Sequence, residues 1–401
     1  MASVLVQLVV PCICVTLASF CWTAHASDPD ILFDYIVPQN TIISTLDGSF
    51  FTFTGMRGIF DSPTPPNVKG TQASMVEFPA LNGQSVSMAV LQLAPGGINA
   101  PHSRPQATGC LFLVEGSLEV GFIDTTNKLY TQTLQAGDMF IFPKSLINYQ
   151  YNANANKTAI AIAAFGSAKG GFVSIPATLF EDGIDDNILA KSLKTDVATI
   201  KQIKAGLASF CWMAKASDPD ILFDFIVPAN TNITELDGMF FTYTGMRGIF
   251  DSPTPPNYKG TQASLEEFPA LNGQSVSIAV LQFSPCGINP PHTRPRSTGL
   301  LFVVEGCLEV GFVDTTNKLY TQSLQAGDMF VFPKGLIHYQ YNANEKEPAT
   351  AVAAFGSANS GSVSVPTTLF ETGIDEEILA KAFKTDVATI EKIKAGLAPK
   401  S

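Results

Sequence analysis

The sequence predicts an all-β fold: two copies of one β-barrel or sandwich, each ending in a small helical extension. Three features carry the prediction. First, runs rich in Val, Ile, Phe and Tyr, such as "SVSMAVLQLAPGG", "GCLFLVEGSLEVGFID" and "KLYTQTLQAGDMFIFP", are broken at regular intervals by Gly, Pro, Asn or Asp. Short, evenly punctuated β-runs of this kind favour a sandwich or barrel. Second, "SDPDILFDYIVP" at residue 27 returns as "SDPDILFDFIVP" at 217, and "TGMRGIFDSPTPPN" at 54 returns at 244, an unbroken offset of 190 residues. That period is too long for a solenoid and is the size of a domain, so the unit is a duplicated domain. Third, each unit ends on a different pattern. In "DDNILAKSLKTDVATIKQIKAG", Ile188, Leu189, Leu193, Val197, Ile200 and Ile203 fall at helical spacing. Asp185 or Asp186 can cap the start, and Gly206 reads as the stop.

Composition bounds the function. The chain has 401 residues, enough for two full cores. It is 46% apolar and only 15% charged, a globular composition and not a disordered one. A net charge of −11 argues against nucleic acid and anionic membranes, whose phosphates an acidic surface repels. A locally basic pocket is still compatible with it.

The elements follow in chain order. Residues 1–26 read as a secretory signal: "VLVQLVVPCICVTLASF" is an apolar run, and "AHA" at Ala24 to Ala26 fits a small-x-small cleavage site. No Lys or Arg precedes the run, which leaves a buried N-terminal element or a membrane anchor as the other readings. Residues 27–206 make the first domain and 217–401 the second. Between them, residues 207–216, "LASFCWMAKA", repeat "LASFCWTAHA" of residues 17–26. The linker is thus the remnant of a second signal peptide. Fusion of two tandem genes accounts for it, and so does an incorrectly joined gene. No other stretch is long and apolar enough to span a bilayer. Seven cysteines show no zinc-type spacing; Cys286 and Cys307 can pair or stay free, and Cys110 has no partner in its own half. Two sequons, at Asn156 and Asn232, become glycosylation sites in a secreted chain.

The loop "INAPHSRPQATG" (residues 98 to 109), repeated as "INPPHTRPRSTG" (288 to 299), carries the candidate chemistry. Together with "EGSLEVGF", "GDMFIFPKSLINYQYN" and "LQAGDMFVFPKGLIHYQYN", it resembles the two motifs of the germin and germin-like proteins of plants, in the cupin superfamily. The resemblance covers both units end to end. It implies two cupin jelly-roll barrels, secretion to the apoplast or cell wall, and one manganese ion per barrel. The first family motif supplies His-x-His and a glutamate five residues on, and the second supplies a third His. Imidazole and carboxylate suit Mn(II).

Carried onto this chain, the pattern is incomplete. In the first copy only His102 matches; Arg104, Gly109 and Asn148 stand at the other three positions. In the second copy His292 and His338 match, while Arg294 and Gly299 replace the middle two. The family's N-terminal cysteine position holds Ile36 and Ile226. A guanidinium cannot ligate a metal and repels a divalent cation in a desolvated site. Shared Arg and Gly in both copies place those changes before the duplication. Arg104 and Arg294 can instead bind a small anion, a carboxylate or phosphate, with Asn99 and Asn289 adding donors. Glu115 and Glu305 read as turn residues, Asp138 and Asp328 as turn caps, and Lys144 and Lys334 as solvated. No nucleophile triad, phosphate loop or dinucleotide fingerprint occurs. Two function classes follow: a non-catalytic or weakly metal-binding barrel protein, and a manganese-dependent oxidoreductase of the oxalate oxidase or superoxide dismutase type. The ligand count favours the first. By resemblance, two barrels in one chain form an intramolecular pair and three chains close a ring.

Overall fold

The computed structural model describes residues 34–39, 45–181, 184–207 and 236–397. The leader, the 207–216 linker beyond its first residue, Ile226 and Asn232 lie outside the described residues. The first copy contributes β1 (Thr52–Phe53), β2 (Val68–Ala73), β3 (Ser87–Leu93), β4 (Ile98–Ser103), β5 (Gly109–Glu115), β6 (Ser117–Ile123), β7 (Leu129–Gln135), β8 (Met139–Phe142), β9 (Ile147–Tyr151), β10 (Ala159–Phe165) and β11 (Val173–Ser174). Three helices follow: α1 (Ile175–Phe180), α2 (Asp186–Ser192) and α3 (Val197–Leu207). The second copy repeats the series as β12 (Thr242–Tyr243), β13 (Tyr258–Ala263), β14 (Ser277–Phe283), β15 (Ile288–Thr293), β16 (Gly299–Glu305), β17 (Cys307–Val313), β18 (Leu319–Gln325), β19 (Met329–Phe332), β20 (Ile337–Tyr341), β21 (Ala349–Phe355) and β22 (Val363–Ser364), then α4 (Val365–Phe370), α5 (Glu376–Phe383) and α6 (Val387–Leu397).

Each copy is a pair of antiparallel sheets sharing one core, the jelly-roll form of the expected barrel and not a closed ring of hydrogen bonds. In the first copy the sheets run β12-β8-β5-β10-β3-β2 and β11-β4-β9-β6-β7. In the second they run β1-β19-β16-β21-β14-β13 and β18-β17-β20-β15-β22. Alternation sets the faces: along β7 only Tyr130 and Leu134 are buried, whereas every residue of β3 is buried. A strand covered on both sides loses the polar–apolar alternation. The second cover comes partly from the chain before β2, whose Ile59 carbonyl accepts from Gln92 Nε2 at 2.9 Å.

The two copies exchange strands. β1 belongs to the first copy by sequence but pairs with β19 of the second, Thr52 opposite Phe330. β12 returns the exchange, with Thr242 opposite Phe140 on β8. Phe51, fully buried, sits edge-on to Phe312, Tyr320 and Tyr35 at 4.7, 5.0 and 5.0 Å between ring centroids. Phe241 does the same in the first copy against Phe122 and Tyr130, at 4.7 and 5.0 Å. Glycine is required where the exchanged segments cross: a Cβ on Gly48 would lie 1.9 Å from the Thr321 carbonyl oxygen, and one on Gly238 equally near that of Thr131.

Charge closes the exchange. Arg57 Nε and Nη2 donate to the two oxygens of Asp328 at 2.6 and 2.8 Å, and Arg247 meets Asp138 at 2.6 and 2.9 Å. Both aspartates cap turns as expected, accepting from the Gln135 and Gln325 amides at 3.0 Å, but both are fully buried and serve chiefly as the partner copy's counter-charge. Lys334 is exposed as expected, whereas Lys144 is buried.

The helical extension is broken where the sequence suggested one run. Lys194 takes φ +52°, and Asp196 caps a new helix by accepting from Thr199 N at 2.8 Å. Among the described residues there, only Leu189, Ala190 and Ile200 are buried; Ile188 and Leu193 stay exposed. Asp185 is the cap of α2, and Asp186 pairs with Lys204 at 2.6 Å. α3 runs through Gly206 to Leu207, since a helical glycine costs only about 1 kcal/mol.

Two outcomes follow from the exchange. Cutting the chain at an engineered protease site between residues 208 and 216 leaves two fragments that elute together on native size exclusion and separate only in denaturant. Phe51→Ala lowers stability by about 3–5 kcal/mol in urea unfolding, because it leaves a ring-sized cavity among Tyr35, Phe312, Tyr320 and the other rings packed on Phe51.

Candidate functional site

Each copy holds a small, partly open cavity between its sheets. The first is lined by Asn99, His102, Arg104, Gly109, Asn148 and Gln150 with apolar neighbours, and has a volume of about 20 Å³. The second is lined by Asn289, His292, Arg294, Gly299, His338 and Gln340, and has about 10 Å³. Strand pairing brings these residues together. β4 pairs with β9 so that His102 lies opposite Asn148, after a register shift between Asn99 and His102. In the second copy the same pairing of β15 with β20 sets His292 opposite His338. Directly opposed side chains share a face and touch, and the two imidazole centroids are 4.2 Å apart.

The histidine tautomers are fixed by the backbone. Nδ1 of His102, His292 and His338 meets the carbonyl oxygens of Ala100, Pro290 and Leu336, each at 2.8 Å. A carbonyl only accepts, so Nδ1 carries the proton and Nε2 keeps the lone pair. Burial also keeps the rings neutral. Burial first, then the nearby Arg104 charge, lowers His102 to about 3. Burial lowers His292 to about 4, and burial with the neighbouring His292 holds His338 well below its ordinary value.

Arg104 and Arg294 turn inward, along the cavity wall. Arg104 Nη1 donates to the Gly171 carbonyl at 2.8 Å, and its guanidinium carbon lies 4.0 Å over the Phe165 ring. Arg294 Nη1 donates to Ser360 Oγ and the Gly361 carbonyl, both at 3.0 Å, and stacks 4.2 Å over Phe355. A desolvated cation–π contact of this kind contributes about 2 kcal/mol. Burial lowers Arg104 to about 10, which leaves it charged at neutral pH. The sequence did not reveal Phe165 and Phe355 as partners. They lie on β10 and β21, more than fifty residues from the loop, and read there as ordinary core.

The other candidates fall as follows. Asn99 and Asn289 donate to Gln150 and Gln340, each at 2.7 Å, so their amides are partly committed. Asn148 spends its N–H groups on the His102 and Leu146 carbonyls. Glu115 and Glu305 are exposed at strand ends beside Gly116 and Gly306, outside the cavities, in keeping with turn residues. Asn156 is exposed in the β9–β10 connection. Cys110 is buried, and Cys286 and Cys307 are exposed free thiols.

These residues fit manganese poorly. No group of three His, Cys, Asp or Glu able to hold an ion occurs among the described residues. The second cavity offers two imidazole lone pairs, but no carboxylate, and a fixed cation stands beside them. A hard divalent ion needs more oxygen donors and a less positive neighbourhood.

Fold and cavity together define a double-barrel protein with one histidine- and arginine-lined chamber per barrel. A family model described as "Cupin" matches residues 62–201 and 252–391, and the chain belongs to that family, within its germin-like branch. Germin-like protein 9-3 of Oryza sativa subsp. japonica is 58% identical over 192 residues, covering 47% of this chain and 89% of the relative. Germin-like protein subfamily 2 member 2 of Arabidopsis thaliana is 40% identical over 201 residues, covering 46% and 90%. One such relative therefore corresponds to one copy. Among solved structures, oxalate decarboxylase of Bacillus subtilis, in work on its Mn(II) centres, matches with TM-score 0.67 at 16% identity, covering 86% of both chains. The formate complex of the Lactobacillus farciminis oxalate decarboxylase matches with TM-score 0.65 at 18% identity, over 85% of this chain and 96% of that one. At such identities the likeness is one of fold.

The buried imidazoles make stability depend on pH. Their folded pKa values lie below the unfolded value near 6.5, so the unfolded chain takes up more protons in acid. Their contribution is complete above about pH 6.5 and is lost as pH falls from there towards about 4. Urea midpoints measured across that window should drop, and the drop should shrink in His102→Gln and His338→Asn.

Proposed function

We propose that this chain is a secreted, non-catalytic germin-like protein of the apoplast or cell wall, whose paired barrels act as a stable binding scaffold. The observation that carries the reading is the same exchange in both cavities: an arginine, stacked on Phe165 or Phe355, and a glycine stand where the family motif has a metal-binding histidine and glutamate. Redox chemistry at a manganese centre needs the ion held by several donors. Here a guanidinium occupies one donor position with its own hydrogen bonds. A cupin barrel is a scaffold on which chemistry is optional.

One observation favours the second reading, a manganese-dependent oxidoreductase. His292 and His338 are adjacent and in the tautomer that leaves Nε2 free to ligate. The first copy, with Asn148 opposite its single histidine, lacks even that pair. A weak metal site in the second barrel is compatible with a scaffold role.

Secretion rests on the leader-like first 26 residues and on the exposed sequon at Asn156. Among the described residues no helix is long and apolar enough to cross a membrane. Assembly of three chains is supported by apolar residues left uncovered on the helical extensions, Ile188 and Leu193 at one end and Ile378 and Phe383 at the other.

Metal content of the secreted protein, measured by plasma mass spectrometry, tests the reading. Manganese well below one ion per chain is expected, with little change in His338→Ala. One full equivalent of manganese that disappears in His338→Ala would overturn it. The converse substitution is also informative. A Cβ at Gly299 meets nothing closer than Phe355 at 3.5 Å, so a side chain can start there. Arg294→His with Gly299→Glu should raise manganese occupancy toward one ion per chain.

A further inference from the structure

Arg294 is buried and Arg104 half-buried, and the charge of neither is matched. Neither forms an ion pair with a carboxylate among the described residues, whereas Arg57, Lys204, Arg247 and Lys394 all do. Their hydrogen bonds are made by Nη1 alone, to Gly171 O in the first copy and to Ser360 Oγ and Gly361 O in the second. Nε and Nη2 of each have no partner among the described residues, and both arginines line the cavities. These nitrogens are not among the buried polar atoms without a partner, so their N–H groups are open to the cavities, where a partly desolvated charge favours an anionic partner. A guanidinium has five N–H groups in a fixed fork, and an anion in the chamber would take the free edge.

We propose that each barrel cavity binds one small monovalent anion, of halide size, on the free Nε–Nη2 edge of Arg104 or Arg294. Size selects this class. A water needs about 10–15 Å³ of such space, so the first cavity admits one or two water-sized atoms and the second about one. A halide, a single atom somewhat larger than water, is nearer that measure than a phosphate or a dicarboxylate of six heavy atoms, which would have to extend through the open side of the cavity. The proposal keeps the arginine as anion donor and narrows the carboxylate or phosphate that the sequence suggested to a smaller anion. The two sites are unequal. The first cavity is larger and presents one imidazole lone pair, whereas the second presents two, which repel an anion. The first barrel binds more tightly.

The inference rests on the reading that manganese is not resident, since ion and anion would compete for one small chamber. Chlorine-35 line broadening of sodium chloride solutions, on the full secreted chain with its manganese measured in the same sample, tests both. Excess broadening that bromide displaces is expected, weakened more by Arg104→Met than by Arg294→Met, lost in the double variant and retained in Arg104→Lys. No excess broadening in a metal-free sample overturns the anion site and leaves the scaffold reading standing. Full manganese occupancy overturns both. Broadening unchanged in the double variant means adventitious surface binding only, and also overturns the site. If the methionine variants do not fold, anomalous scattering from bromide-soaked crystals of the unaltered chain decides. Bromide against the Arg104 guanidinium supports the proposal; bromide only elsewhere overturns it.

Discussion

The fold depends on one reciprocal insertion. Phe51, carried on the first copy, fills the aromatic heart of the second barrel, and Phe241 fills the first. The short strands that follow them extend the partner's sheet, and Arg57 and Arg247 satisfy buried carboxylates across the same boundary. Apolar burial, main-chain pairing and charge neutralisation thus all cross between copies. Neither barrel is complete without a piece of the other, and the buried core is continuous through the molecule. Joining the two copies in one chain makes the exchange intramolecular, which raises the effective concentration of each inserted segment.

The same rigidity shapes the chambers. Their walls are strands locked in register from both sides, so substituting a lining residue changes the chemistry without changing the frame. Histidine rings keep one orientation through Nδ1–carbonyl bonds even where the surrounding donors have changed. Arg104 and Arg294 find a phenylalanine face and a backbone carbonyl ready to receive them. What was, by family pattern, a site for a small hard cation becomes a site that carries its own fixed positive charge. The anion site proposed for each barrel would reverse the sign of the guest.

The copies have diverged around a shared plan. In the first, Phe172 stacks on His102 at 4.7 Å; in the second, Ser362 takes that place and His292 packs against His338 instead. Ser360 gives Arg294 a hydroxyl partner where Gly170 offers none. The second guanidinium is therefore held by one more bond and sits beside a more basic lining. Two chambers of one ancestry now differ in volume and in donor character.

Much of this was legible in the sequence. The duplication, the β character and the helical tail are properties of residue order that composition and repetition express directly, whereas the missing metal ligands at positions 104, 109, 294 and 299 were legible only through the resemblance to germin-like proteins. Other features needed the third dimension. The helical tail read as one amphipathic run because spacing alone does not register the left-handed turn at Lys194 that divides it. Asp138 read as a turn cap because its main partner, Arg247, lies more than a hundred residues away in the other copy. Whether Arg104 and Arg294 point inward was equally invisible. That depends on Phe165, Phe355 and the carbonyls of Gly171 and Gly361, which only the closure of the sheets brings to the loop. The sequence by itself determined which chemical groups are available, because that is fixed by covalent order. The tertiary structure decided which of them meet, because strand exchange and barrel closure join residues that no local pattern relates.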